Sequence, residues 1–196
     1  MVRWYHAIFT AYGFWLPNDP RGSWSEFVGS WELYKFGGAA TKTDQRRSVA
    51  SRDHDHNFRR DAKQTLKYPP VRFDESQREL IAAGIAQACE ESNIRLHACV
   101  IGHDHVHGVV ERHSKTIEEV VQHFKSRATK HMNRAGLHPL REFADAKGTA
   151  PQPWAEKCWH VFINDERHLR AAIDYVERHP EKEGLPRQNW PFVVPF

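Results

Sequence analysis

Hydrophobic and polar positions follow two periods along this chain, one of two residues and one near 3.6. Residues 4–10, WYHAIFT, are aromatic and β-branched and read as a first strand. From Pro17 to about Arg72 no period is sustained, and Gly, Pro, Ser and isolated Trp mark a long loop insertion. At Asp74 the pattern changes. Asp74 and Gln77 have the spacing of a capping box, and Leu80, Ile81, Ile85 and Ala88 then recur as a helical stripe to about Glu91. Gly84 lies on that stripe, where it costs roughly 1 kcal/mol against Ala and permits close packing. Ile94, Leu96, Ala98 and Val100 alternate with Arg95, His97, Cys99 and Ile101, a strand with one strongly apolar face. Gly102-His103-Asp104 turns the chain, and residues 105–111, HVHGVVE, return as its hairpin partner. Thr116 and Glu119 form a second capping box, ahead of the stripe Ile117, Val120, Val121, Phe124 and Ala128. Trp159–Ile163 reads as a further strand. Asn164 or Asp165 then caps a last helix, in which Leu169, Ala172, Ile173 and Val176 face the core until Pro180 stops it.

This order predicts an α+β fold: a ferredoxin-like βαββαβ antiparallel sheet with helices on one face, followed by one more helix. The 196 residues suit a single domain over 1–196, with about 17–72 as the insertion. Mean hydropathy is −0.71, and no apolar run is long enough to span a membrane. The first residues lack the uniform hydrophobic segment of a signal peptide, and three cysteines without CxxC spacing suit a reducing compartment. The expectation is a soluble cytoplasmic protein without a membrane partner.

Charge alone says little, since 28 Lys and Arg against 25 Asp and Glu leave +3. Its distribution says more: residues 41–72 hold nine Lys or Arg against four Asp, either a solvated surface or a phosphate grip. His54-Asp55-His56, within that stretch, only imitates a metal site. Trp15, Trp24 and Trp31 can stack on unpaired bases or cover a small satellite core. Lys125, Arg127 and Lys130 on the second long helix are candidate phosphate contacts, or simply a solvated face.

Fourteen histidines are unusual, and two have a meaningful spacing. His105 and His107 project from one face of a strand and can chelate one ion, or are ordinary half-exposed sheet residues. On the last helix, Tyr175 and His179 are four apart, at the edge of the apolar stripe. Together these supply a hydroxyl nucleophile and three imidazoles, the parts of a metal-assisted nucleophilic attack.

HDHVHGVV (103–110) resembles the HUH motif, histidine, hydrophobic, histidine, of single-strand DNA transposases. HLRAAIDYVERHPEKEGL (168–185) followed by NWPF (189–192) is similar to the tyrosine helix and tail of the REP-associated tyrosine transposases. The likeness covers 94–192; HAIFTAYGFWLPND (6–19) is also similar to family N-termini, whereas the segment from about 20 to 72 does not align with the family. The resemblance implies an HUH endonuclease fold in which His105, His107 and His179 hold a divalent metal, Mg²⁺ or Mn²⁺, and Tyr175 is the nucleophile. It further implies cleavage and strand transfer on single-stranded or hairpin DNA through a 5′-phosphotyrosine, by a monomer or a homodimer sharing tyrosine helices. Two residues depart from the family pattern. His179 stands where the family has Asn or Gln, which shifts preference toward Mn²⁺ or other transition metals. His103 stands where Pro is common and can belong to the turn or compete as a ligand. A zinc hydrolase built on His103, His105 and His107, or a DNA-binding protein without catalysis, are the alternatives.

Overall fold

A computed structural model describes residues 2–23, 25–41, 49–50 and 52–196. Trp24, together with Lys42, Arg46 and Arg47 of the basic stretch, lies outside the described residues.

The chain orders as β1 (Trp4–Ala11), α1 (Trp31–Tyr34), α2 (His56–Gln64), α3 (Glu75–Ser92), β2 (Leu96–Ile101), β3 (His105–Glu111), α4 (Ile117–Arg134), β4 (Trp154–Ile163), α5 (Glu166–Glu177) and α6 (His179–Lys182). The strands form one antiparallel sheet in the order β2-β3-β1-β4, the ferredoxin-like arrangement expected from the sequence. Both capping boxes form as read: Asp74 with Gln77 opens α3, and Thr116 with Glu119 opens α4. Asp165 caps α5 by accepting from His168 N–H, and Asn93, in the left-handed region at φ 51°, ends α3.

The sheet separates two cores. On one face Ala7, Phe9, Val106, Val110 and Ile101 pack against Ile81 and Ile85 of α3 and Val120, Val121 and Phe124 of α4. Gly84 is what lets those helices meet: a Cβ there would run into Ala128 and lie 2.7 Å from the Arg127 carbonyl carbon. On the other face α5 lays Leu169, Ala172 and Val176 over Trp4, Ala98, Val100, Val109 and Ile163. Leu169 is fully buried, and losing such a side chain costs about 2–5 kcal/mol.

Several local expectations change. Strand β2 is buried on both faces, since helices cover both sides of the sheet, and a bulge between Leu96 and Ala98 turns Leu96 to the α3–α4 side while Ala98 and Val100 face α5. Strand β4 starts at Trp154 rather than Trp159, with an irregularity opposite Phe9–Ala11 that the hydrophobic pattern does not reveal. Pro180 sits in the first turn of a short helix, α6, which starts at His179, so the tyrosine helix breaks at Arg178 rather than simply stopping at the proline. The insertion is more than a loop. Asp55 caps α2 by accepting from Phe58 N–H, and Leu16, Leu33 and Ala62 make a small core with Val28, Phe36 and Leu66. Asp55 is thereby committed to a helix end, not to a metal. The free edge of β2 is covered by the C-terminal segment: Gln188 exchanges two hydrogen bonds with the Ile101 backbone, and Val194 N–H donates to Leu96 O. Among the described residues no helix is long and apolar enough to cross a membrane.

Candidate metal and nucleophile site

Antiparallel pairing puts Thr10 opposite His105 and Ile8 opposite His107 in the β1–β3 register. His105 and His107 therefore share one face with His6, which sits diagonally from His107. This is the α5 face, at the end where the Leu169–Val176 cover runs out. Here α5 presents Tyr175 and α6 presents His179. The ligand-capable atoms of His105, His107 and His179 lie within 4.8 Å of one another, and His105 Nε2 is 2.9 Å from His179 Nε2. Adjacent ligands of an octahedral ion with bonds of about 2.1 Å stand about 3 Å apart, so this spacing fits a divalent cation. His179 Nδ1 is buried without a hydrogen-bond partner.

The outer groups fix the rings. His105 Nδ1–H donates to Asp104 Oδ1 at 2.9 Å, which leaves Nε2 as the lone pair facing the cluster. His107 Nδ1 pairs with His6 Nε2 at 3.0 Å; with the proton on Nδ1, Nε2 of His107 is free to ligate. Burial lowers His6 to about 4, and burial with the neighbouring His105 holds His107 well below the ordinary imidazole range. Burial, then His105, also lowers His179. These rings are thus neutral near pH 7, the form that binds metal. His6 is a member of this histidine cluster that the sequence reading missed. Its only signal was a histidine at the same parity as Trp4 and Ile8 in a largely apolar strand.

Tyr175 is 42% exposed, and its ring stands edge-on to those of His6 and His107 and tilted to that of His179, with centroids 5.6–5.9 Å away. The Lys182 ammonium lies 4.5 Å over the Tyr175 ring, and burial pushes the phenol up from its ordinary range. Deprotonation thus needs assistance at the site. The cluster opens into a cleft of about 1150 Å³ bordered by Phe14, Trp15, Ser126, Lys130 and Trp159.

His103 does not join the cluster. Its Nδ1 lies 3.4 Å from Phe73 O and 3.3 Å from the Arg78 guanidinium, so it belongs to the turn, and the hydrolase set of His103, His105 and His107 is not assembled.

The three candidate phosphate contacts separate. Lys125 is 4% exposed, and its Nζ donates to the Ala155, Glu156 and Lys157 carbonyls at 2.6, 3.2 and 3.1 Å. Those carbonyls are freed by the β4 irregularity, so Lys125 closes the sheet and has no donor left for a phosphate. Burial lowers it to about 8. Arg127 donates to Glu91 at 2.6 Å between α4 and α3, away from the cleft. Both Lys125 and Lys130 border the cleft, but of the three only Lys130 is exposed. Trp15 donates to Gly22 O with the Arg21 guanidinium 3.9 Å over its ring, a packing role, whereas Trp31 is 70% exposed and stacks on Tyr34.

A family model described as transposase, IS200 like, matches residues 64–179, more than half of the chain, and spans His105, His107, Tyr175 and His179. No curated protein matches the chain. The chain is similar to a solved structure described as a REP-associated tyrosine transposase bound to a REP hairpin. Identity is 12% and the TM-score 0.49, over 97% of this chain and 74% of that one.

Proposed function

The chain belongs to the IS200-like transposase family, and from that premise we propose that it cuts and rejoins single-stranded DNA with Tyr175 as nucleophile. The observation that carries the reading is Tyr175 beside the three-histidine cluster, its ring edge-on to His107 at 5.9 Å and tilted to His179 at 5.6 Å between centroids. In this mechanism Tyr175 Oη attacks the scissile phosphorus. The Tyr O–P bond forms, the P–O3′ bond breaks, the phenolic proton leaves, and the departing 3′ oxygen ends as a 3′-OH. A divalent ion held by His105, His107 and His179, Mn²⁺ or Mg²⁺, would polarise the phosphate. The phosphodiester energy stays in the 5′-phosphotyrosine, so a second 3′-OH reverses the step and joins strands without ATP. His6 and Asp104 hold the imidazoles in the ligating tautomer. Lys182 places positive charge beside the phenol as it loses its proton. Lys130 and the basic insertion hold the strand through phosphates.

The C-terminal likeness to REP-associated enzymes suggests a hairpin substrate, and a bacterial chain of this kind would work at the nucleoid in the cytoplasm. The test is covalent capture: a labelled hairpin oligonucleotide, Mn²⁺ and a denaturing gel. A protein-linked 5′ product that disappears in Tyr175→Phe supports the proposal. Cutting without an adduct, unchanged in Tyr175→Phe, overturns it.

A further inference from the structure

Glu183, at the end of α6, is not part of the catalytic set above, yet it lies against the β2–β3 turn, His105 and His179. Its Oε2 accepts from His103 N–H in the β2–β3 turn at 3.3 Å. Its Oε1 lies 3.4 Å from His105 Nδ1 and 3.9 Å from His179 Nε2. The side chain is 18% exposed, and the chain makes room for it at Gly102, where a Cβ would stand 2.6 Å from Oε2. Since α5 breaks at Arg178, the orientation of α6, and with it His179, is not imposed by continuation of the tyrosine helix.

We infer that Glu183 is a positioning residue: it docks α6 on the β2–β3 turn and so brings His179 into one ligand set with His105 and His107. Asp104, His105 and Glu183 form a second close group of donors that shares His105 with the first. Glu183 is absent from the first group, so it acts from outside the three histidines, through the turn and through its charge. Two carboxylates beside His105 also give a set of neutral imidazoles the negative charge that a doubly charged ion favours. The assignment rests on the reading of the cluster as a metal site.

The experiment titrates the full chain with Mn²⁺ alone, without DNA, and counts bound imidazole nitrogens by electron spin-echo modulation. The wild type should bind with three imidazoles and His107→Ala should lose the ion. Glu183→Ala should bind about 10–100-fold more weakly and lose one imidazole. Glu183→Gln keeps an acceptor for His103 N–H, so it should keep all three imidazoles at reduced affinity. Gly102→Ala, which displaces the carboxylate from the other side, should reproduce Glu183→Ala. Three imidazoles and wild-type affinity in Glu183→Ala would overturn the assignment while leaving the metal site standing. A wild type that binds no Mn²⁺ would instead overturn the metal reading and the assignment with it.

Discussion

The two faces of the sheet are built from the same strands and do opposite work. On the α3–α4 face the alternate residues of β1 and β3, Ala7, Phe9, Val106 and Val110, are buried under two long helices without a polar side chain among them. On the α5 face the intervening residues begin apolar, with Trp4 and Val109 under Leu169, and end as His6, His107 and His105 where the helix gives way. One helix cannot cover a face that two helices cover, and the uncovered end is where a cleft and buried imidazoles can coexist. The apolar face supplies stability that this end does not. Burial of neutral imidazoles there is offset by their pairing, His6 with His107 and His105 with Asp104 and His179.

The sharpest way to break the comparison is to alter each face and look for the other's phenotype. His107→Ala on the α5 face should reduce strand cleavage by at least about 10³-fold while hairpin binding stays within threefold. Cleavage retained in gel assays would show that this end is not the reactive one. Gly84→Ala on the other face should cost about 3 kcal/mol, since the new Cβ meets the α4 backbone, and should lower the melting temperature without changing Mn²⁺ affinity.

A third test uses acid on the metal-free protein. Unfolded imidazoles titrate near 6.5, but His6 in the fold titrates at about 4, with His107 and His179 lowered too. Between these values the unfolded chain binds more protons, so stability present above pH 6.5 is lost as pH falls toward 4. The loss is roughly 3 kcal/mol from His6 alone, read as melting temperature in EDTA. A flat profile would mean the rings are not held neutral. The smallest effects concern two lysines on one helix. Lys125→Met should destabilise by about 1–3 kcal/mol, because three carbonyls lose their donor, and leave the salt dependence of DNA binding unchanged. Lys130→Ala should do the reverse, flattening the salt slope by about one unit with no change in melting temperature.

Much of the architecture was legible because it is local. Capping boxes at Asp74 and Thr116, the stripes that follow and the alternation of residues 105–111 each report on neighbours within a few positions. The HxH pair and the Tyr175–His179 spacing were legible for the same reason. The bulge at His97, the early start of β4 and the capped helix in the insertion were not, since each depends on a partner strand or a weak local signal. Lys125 shows the difference most clearly. As a basic residue on a polar-looking helix segment it reads as a phosphate contact, and only the carbonyls of Ala155, Glu156 and Lys157, thirty residues later, reveal it as buried and committed.

What the sequence determined by itself is the order of the four strands and three long helices of the sheet domain, the covered faces of those helices and the residue types that can perform the chemistry. Helical and strand periods place side chains on a face whatever lies opposite. Only the tertiary structure decided which of these residues meet: that His6 pairs with His107, that His179 reaches His105 across a broken helix, that Glu183 joins the turn, and that His103 and Lys125 stand apart. Those contacts are set by strand register and helix docking between segments far apart in the chain, and no period within either segment encodes its partner.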